Sequence, residues 1–184
     1  MEVDPNNINI EKVAQSIHIL AIIDTNYVKK FYPNPSKSAS HPTGISSNAV
    51  FMVNSQLTGV SSAEGSGKLN LRLQVGDKVS LMGTSLSDNS EDSALIYNVQ
   101  HFSGDQVFNK FATHTIEQTG ASSADETPDI IASAAQSRVF QSFNSIAKSS
   151  GSESLATVFA LYTREPNSKK LFGYFYWTWQ AYAA

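Results

Sequence analysis

The sequence predicts an all-β fold: an immunoglobulin-like β-sandwich, mostly antiparallel, with at most one or two short helices. Three observations carry this. Short runs rich in β-branched and aromatic residues recur between Ser-, Asn- and Gly-rich turns at a spacing of about ten residues. Lys68–Val75 alternates apolar and polar residues without a break. Helical periodicity, by contrast, is thin throughout. A barrel is the alternative closure of such strands.

In chain order, Asn9–Gln15 has room for one or two helical turns. Ile17–Asp24 is a short apolar run bounded by polar sequence, and reads as a buried strand. In Lys68–Val75, Leu69, Leu71, Leu73 and Val75 share one face, while Lys68, Asn70, Arg72 and Gln74 share the other. That pattern predicts a half-buried antiparallel strand. Gly76-Asp77 breaks it, and Val79, Leu81 and Gly83 resume it, as across a hairpin turn. Ala94–Val99 and Arg138–Ile146 are further strands. Pro128–Gln136 is expected to form a short helix, with Pro128 in its first turn and alanines behind it. Leu155–Tyr162 and Leu171–Trp177 form the strongest local pair, a hairpin joined by Arg164–Lys170. It is expected near the centre of the sandwich.

The chain has 184 residues, which predicts a single domain over 1–184 with 1–15 as a peripheral segment. A chain of this size buries about 70% of its unfolded surface on folding, so one core suffices. Charged residues make up only 16%, below the usual quarter or so. Their place is taken by 27 Ser, 11 Thr and 13 Asn. A net charge of −3 excludes a strongly basic nucleic-acid binder. No apolar run is long enough to span a membrane as a helix. There is no cysteine, hence no disulfide and no thiolate chemistry. The N-terminus lacks a basic segment before an apolar stretch, so no secretory signal is expected. These features point to a cytoplasmic protein; non-classical release would leave the same pattern.

Catalytic motifs are missing. Gly65-Ser-Gly-Lys68 has neither the glycine spacing nor the helix of a phosphate loop, and reads as a turn. His18, His41, His101 and His114 have no metal-ligand spacing. No Gly-x-Ser-x-Gly elbow accompanies the many serines. The expectation is a protein that is not an enzyme and has no cofactor. The acidic loop Asp88–Ser93 offers Asp88, Glu91 and Asp92 as a weak calcium site, although solvated turns of this composition are common.

Two segments hold candidate binding residues. Phe172–Trp179 packs six aromatics into eight residues. Period two puts Phe172, Tyr174 and Tyr176 on one face, and Phe175, Trp177 and Trp179 on the other. Aromatic faces stack on sugars or on neighbouring protein. Phe175 and Trp177 are expected in the core; Trp179 and Tyr182 are expected exposed or at an interface, and Trp177 and Trp179 are kept as ligand candidates. Asp24–Ser36 ends a strand in a carboxylate and continues into Pro33-Asn34-Pro35. Asp24, Asn34, Tyr27 and Tyr32 could face a ligand there. Equally, Asp24 could cap the next turn and Asn34 could brace its own loop.

The same segment carries a resemblance. Asp24-Thr-x-Tyr27, Tyr32-Pro-Asn-Pro-Ser36 and Pro42-Thr-Gly-Ile45 resemble the opening signature of the bacterial inclusion body protein family, the PixA/AidA family. Phe51-Met-Val53, the Leu69–Asp77 strand and turn, Gly83-Thr-Ser85, Phe159-Ala-Leu-Tyr162 and Gly173–Trp177 follow in order. The resemblance implies an immunoglobulin-like β fold and a bacterial protein made abundantly under quorum or growth-phase control. It implies cytoplasmic inclusions in some members and supplies no catalytic residues. Methionine stands only at positions 1, 52 and 82, which argues against a methionine store.

Two functions follow as expectations. The first is self-association into a homo-oligomer through strand edges and the Trp177–Tyr182 aromatics, favoured by the low charge density. The second is carbohydrate binding, with calcium as its cofactor, using loop oxygens and aromatic stacking.

Overall fold

The computed structural model describes residues 13–55, 65–121, 136–166 and 168–184. The helix expected over Pro128–Gln136 and most of Asn9–Gln15 lie outside the described residues, as does most of the 1–15 segment.

Strands form where alternation lets one face bury. In order they are β1 (Ser16–Ile23), β2 (Thr43–Gly44), β3 (Val50–Asn54), β4 (Asn70–Leu73), β5 (Lys78–Ser85), β6 (Ser93–Gly104), β7 (Ala112–Ala121), β8 (Gln136–Ile146), β9 (Gly151–Glu165) and β10 (Ser168–Ala183). Among the described residues, one helix, α1 (Thr25–Phe31), and a single 3-10 turn at Ser47–Ala49 interrupt them. Two sheets stack face to face. Sheet A runs β3-β1-β5-β8-β7, and sheet B runs β2-β10-β9-β6 with β4 also on β10. The all-β sandwich expected from the pattern is the one observed.

The core lies between the sheets. From sheet A it receives Ile17, Ile19, Ile23, Met52, Val79, Leu81 and Phe143; from sheet B, Leu71, Leu155, Phe159, Leu161, Phe175, Trp177 and Trp179. Each such side chain contributes about 1.5–3 kcal/mol on burial. Phe159 stacks on Phe175 at 5.4 Å and meets Trp177 edge-on at 5.8 Å. The sheets approach closely at Gly83, where an added Cβ would strike the Ile96 side chain. Beyond the strands, Val107 and Phe108 turn inward and plug one end of the sandwich; both are buried.

Several elements depart from the sequence reading. Lys68–Val75 contains β4, but it pairs parallel with β10, Leu71 against Ala181. Gly76-Asp77 does not close a hairpin: β4 lies in sheet B and β5 in sheet A. The turn is a crossover, and β5 runs parallel to β1 from Ser16↔Lys78 to Ile23↔Ser85. Val75, leaving its strand at that crossover, is 50% exposed. Trp179 is not a surface residue. β10 continues past it, paired with β9 to Ala183↔Gly151, so Trp179 stays in register with the core face at 1% exposure. The expected β9–β10 hairpin is central in its sheet and longer than the pattern suggested.

Candidate functional site

The aromatic alternation in β10 leaves Tyr174 and Tyr176 on the outer face of sheet B. Beside them on β9 stand small side chains in register: Tyr174 opposes Ala160 and Tyr176 opposes Val158. β6 supplies the opposite wall. Its ladder with β9 shifts register between Ile96 and Asn98 and between His101 and Ser103. The residues at these two bulges are Tyr97 and Phe102, and a bulge re-aims the side chain it carries. Tyr97 meets Tyr174 edge-on at 5.7 Å, and Phe102 meets Tyr176 at 6.0 Å. Four rings thus roof the β9 floor, where Ala156, Val158 and Ala160 are buried. The roof itself remains partly open to solvent, with Phe102 53% exposed.

The roof is fixed by polar contacts. The Tyr97 hydroxyl donates to the Ala39 carbonyl at 2.8 Å. Burial, and then neighbouring Tyr174, push the Tyr97 phenol above its ordinary pKa. Asn98 donates to Gln100 along the same strand at 2.8 Å. Such a surface can stack on flat apolar faces, of a sugar or of another protein, and offers hydroxyl and amide groups at its rim.

The Pro33-Asn34-Pro35 loop lies against β10. Tyr174 N–H donates to Ser36 O at 2.9 Å, and Pro35 sits where a Cβ on Gly173 would be. The binding residues expected there are occupied locally. Asp24 caps α1, accepting from Tyr27 N–H at 2.9 Å. Tyr27 packs on Phe31 with ring centroids 4.4 Å apart. Tyr32 accepts from Ser46 N–H at 2.7 Å. Asn34 is exposed at the loop. Trp177 and Trp179 lie in the core at 0% and 1% exposure, so they present no surface to a ligand. Trp179 Nε1 donates to Thr157 Oγ1 at 2.9 Å.

The acidic loop does not gather its carboxylates. Asn89 organises it, accepting from Ser85 N–H and Ala94 N–H, with left-handed φ values of 50° at Asp88 and 58° at Asn89. Each carboxylate then faces a different cation: Asp88 faces Arg138, Glu91 faces Arg164, and Asp92 faces Lys29. Among the described residues no group of three His, Asp or Glu could hold a metal ion. Asp88, Glu91 and Asp92, the weak calcium candidates, are thus each turned toward a different cation and not toward one another. Burial works to raise the Asp92 pKa. Hydrogen bonds from Lys29 and the Arg164 N–H, the Lys29 charge and the Thr25 hydroxyl outweigh it, and hold this carboxyl below its ordinary value.

Two buried carboxylates escaped the sequence reading. Asp77 accepts from Gln15 N–H and Gln74 N–H, both at 2.8 Å. Glu153, on the core side of β9, accepts from Phe108 N–H at 2.9 Å and pairs with His101 Nδ1 at 3.0 Å. The Gly76-Asp77 turn signal could have flagged the first. The second has only an acid at a core-facing position of a strand to announce it. Each oxygen of Glu153 accepts one of these bonds, so this histidine–carboxylate pair pins the Val107–Phe108 plug.

The PixA family profile, described as inclusion body protein, matches residues 15–181. The chain belongs to the PixA inclusion body protein family. The crystal structure of an inclusion body protein of this family from Burkholderia cenocepacia J2315 is 66% identical. It aligns over 96% of this chain and 100% of that one, with a TM-score of 0.85. The solution structure of amebosin, at 11% identity and a TM-score of 0.22, carries no argument. No match is found among curated proteins. The PixA family is one of inclusion body proteins.

Proposed function

We propose that this PixA-family chain is a non-enzymatic, abundantly made bacterial protein that associates with itself and collects in cytoplasmic inclusions under growth-phase or quorum control. One observation supports the self-association: among the described residues, large apolar side chains stand exposed on the outward face of sheet A, interspersed with polar ones such as His18, Ser80 and His114. Phe51, Val53, Ile116, Phe140 and Ile146 stand on it, each 40–43% exposed. Exposed apolar patches of a few hundred Å² mark interaction surfaces, and the 16% charge content adds little repulsion between copies. The contact first expected at Trp177–Tyr182 has only Tyr182 left at the surface, at 49% exposure. Sedimentation velocity over a concentration series should show species larger than the 20.0 kDa chain. A single 20.0 kDa boundary at every concentration would overturn the proposal.

A second function, carbohydrate binding in association with a host, is favoured by the aromatic roof. Tyr97, Phe102, Tyr174 and Tyr176 supply its stacking surface; Asp24 and Asn34 do not. A glycan array with and without EDTA, run on wild type, Tyr176→Ala and Asp24→Ala, tests it. Sugar binding that survives Asp24→Ala and is lost in Tyr176→Ala supports the roof. Silence across the array removes the function.

A further inference from the structure

We propose that β7 is a docking edge for a second copy of this chain, paired antiparallel with the copy's β7 about a two-fold axis to join two five-stranded sheets into one. This rests on the self-association proposed above and names its surface.

β7 is a ten-residue strand at the margin of sheet A, and among the described residues it is hydrogen-bonded only to β8. Alternate N–H and C=O groups therefore point outward along its free side. Its side chains from Ala112 to Thr119 are all exposed. Such an edge is a template for a further strand unless something blunts it.

The other edges are blunted. β6, the long margin of sheet B, carries the two bulges that seat Tyr97 and Phe102. β3 has only five residues, and its Met52 carbonyl already accepts from Gly65 N–H. β2 has two residues and β4, which pairs only with β10, has four. β7 shifts register only between Thr119 and Ala121, so Ala112–Thr119 is regular. It contains no proline and no lysine, the residues that usually guard an edge.

The surroundings favour a copy of this chain as the occupant. Ile116 is in register with Phe140 on one face of the sheet, and the two are 42% and 43% exposed; Val139, in register with Glu117 on the other face, is 67% exposed. They add apolar surface on both faces of the joined edge, Ile116 and Phe140 on one and Val139 on the other. Main-chain hydrogen bonds along the two paired strands add to this apolar contact. A two-fold centred on Ile116 sets that residue against its copy, with both Phe140 side chains alongside. It pairs Glu117 with the copy's Thr115, and His114 with the copy's Gln118, so no like charges meet. An isologous contact of this kind closes at two chains.

The test compares wild type with Ile116→Lys and Leu95→Lys by sedimentation velocity, together with amide exchange of wild type at low and high concentration. Ile116 and Leu95 are 42% and 47% exposed, so both variants should fold, as circular dichroism can verify. The expected result is association in wild type and in Leu95→Lys, and at least a tenfold weaker association in Ile116→Lys. Amides of Ala112–Thr119 should exchange more slowly at high concentration. If Ile116→Lys associates like wild type, or those amides gain no protection, β7 is not the contact even though the chain self-associates. If wild type stays a single chain throughout, the proposal falls together with the self-association on which it rests.

Discussion

Replacing Asp77 with Asn keeps the shape of the side chain and removes its charge. Asp77 is 3% exposed and holds two backbone donors, Gln15 N–H ahead of β1 and Gln74 N–H ahead of the crossover, each at 2.8 Å. It thereby ties together the starts of β1 and β5, whose parallel pairing begins at Ser16↔Lys78. A hydrogen bond to a charged acceptor is worth about 1.5–3 kcal/mol, and a donor left buried without a partner costs a similar amount. In Asp77→Asn one oxygen remains, and the amide NH₂ faces the other N–H. The expected loss is about 2–3 kcal/mol; Asp77→Ala, which orphans both donors, should lose about 3–5 kcal/mol. Urea unfolding followed by tryptophan fluorescence reads this directly, with a midpoint lowered by roughly 1 M for Asn at an unchanged slope. In a chain of this size the melting temperature should fall by roughly 5–10 °C. A midpoint within about 0.2 M of wild type for both variants would refute the argument that this carboxylate holds the crossover.

Asp92, with a folded-state pKa below its ordinary value, adds stability that is present above the unfolded carboxylate pKa of about 3.9. That stability is lost as pH falls through the folded value. Asp92→Asn should therefore be less stable than wild type at pH 7, with the two unfolding midpoints converging toward pH 2; a constant gap between them would contradict the assignment. Glu153→Gln should weaken the acceptor for Phe108 N–H by about 1–3 kcal/mol. Hydrogen exchange should quicken at Phe108 before it does elsewhere. Gly173→Ala should lift the Pro35 ring from β10, since the new Cβ would lie 2.5 Å from it. The expected cost is about 1–3 kcal/mol, and an unchanged unfolding midpoint would show that the loop yields freely.

What could be read from the sequence was what local alternation decides. The β9–β10 pairing, the two faces of Tyr174–Trp179 and the core role of Phe175 and Trp177 all follow from period two; Phe172 departs from it, at a register shift of β10 where its ring stacks on Phe175. The fate of Trp179 did not, because nothing local shows that β10 runs on through Ala183 between β9 and β4. The Gly76-Asp77 turn has the same chemistry in a hairpin and in a crossover; only the distant partners, β10 for β4 and β1 for β5, distinguish them. α1 is seven residues of modest helix propensity, legible only at its Asp24 cap. β7 has Ile116 as its one large apolar residue, so an edge strand was indistinguishable from a polar loop. The aromatic roof was half visible: Tyr174 and Tyr176 could be placed on one face, but Tyr97 and Phe102 reach them through bulges, which leave no mark in composition.

The position of β10 sets the order in which the molecule assembles. It lies between β9, its neighbour in sequence, and two short strands from the first half of the chain, β2 and β4. The β9–β10 hairpin closes a short loop and can form within microseconds, whereas docking β2 and β4 requires long stretches of chain to find it. Until they arrive, the hairpin stands with Phe175, Trp177 and Trp179 facing water. Tryptophan burial is thus the late event of refolding, behind the early gain of β signal.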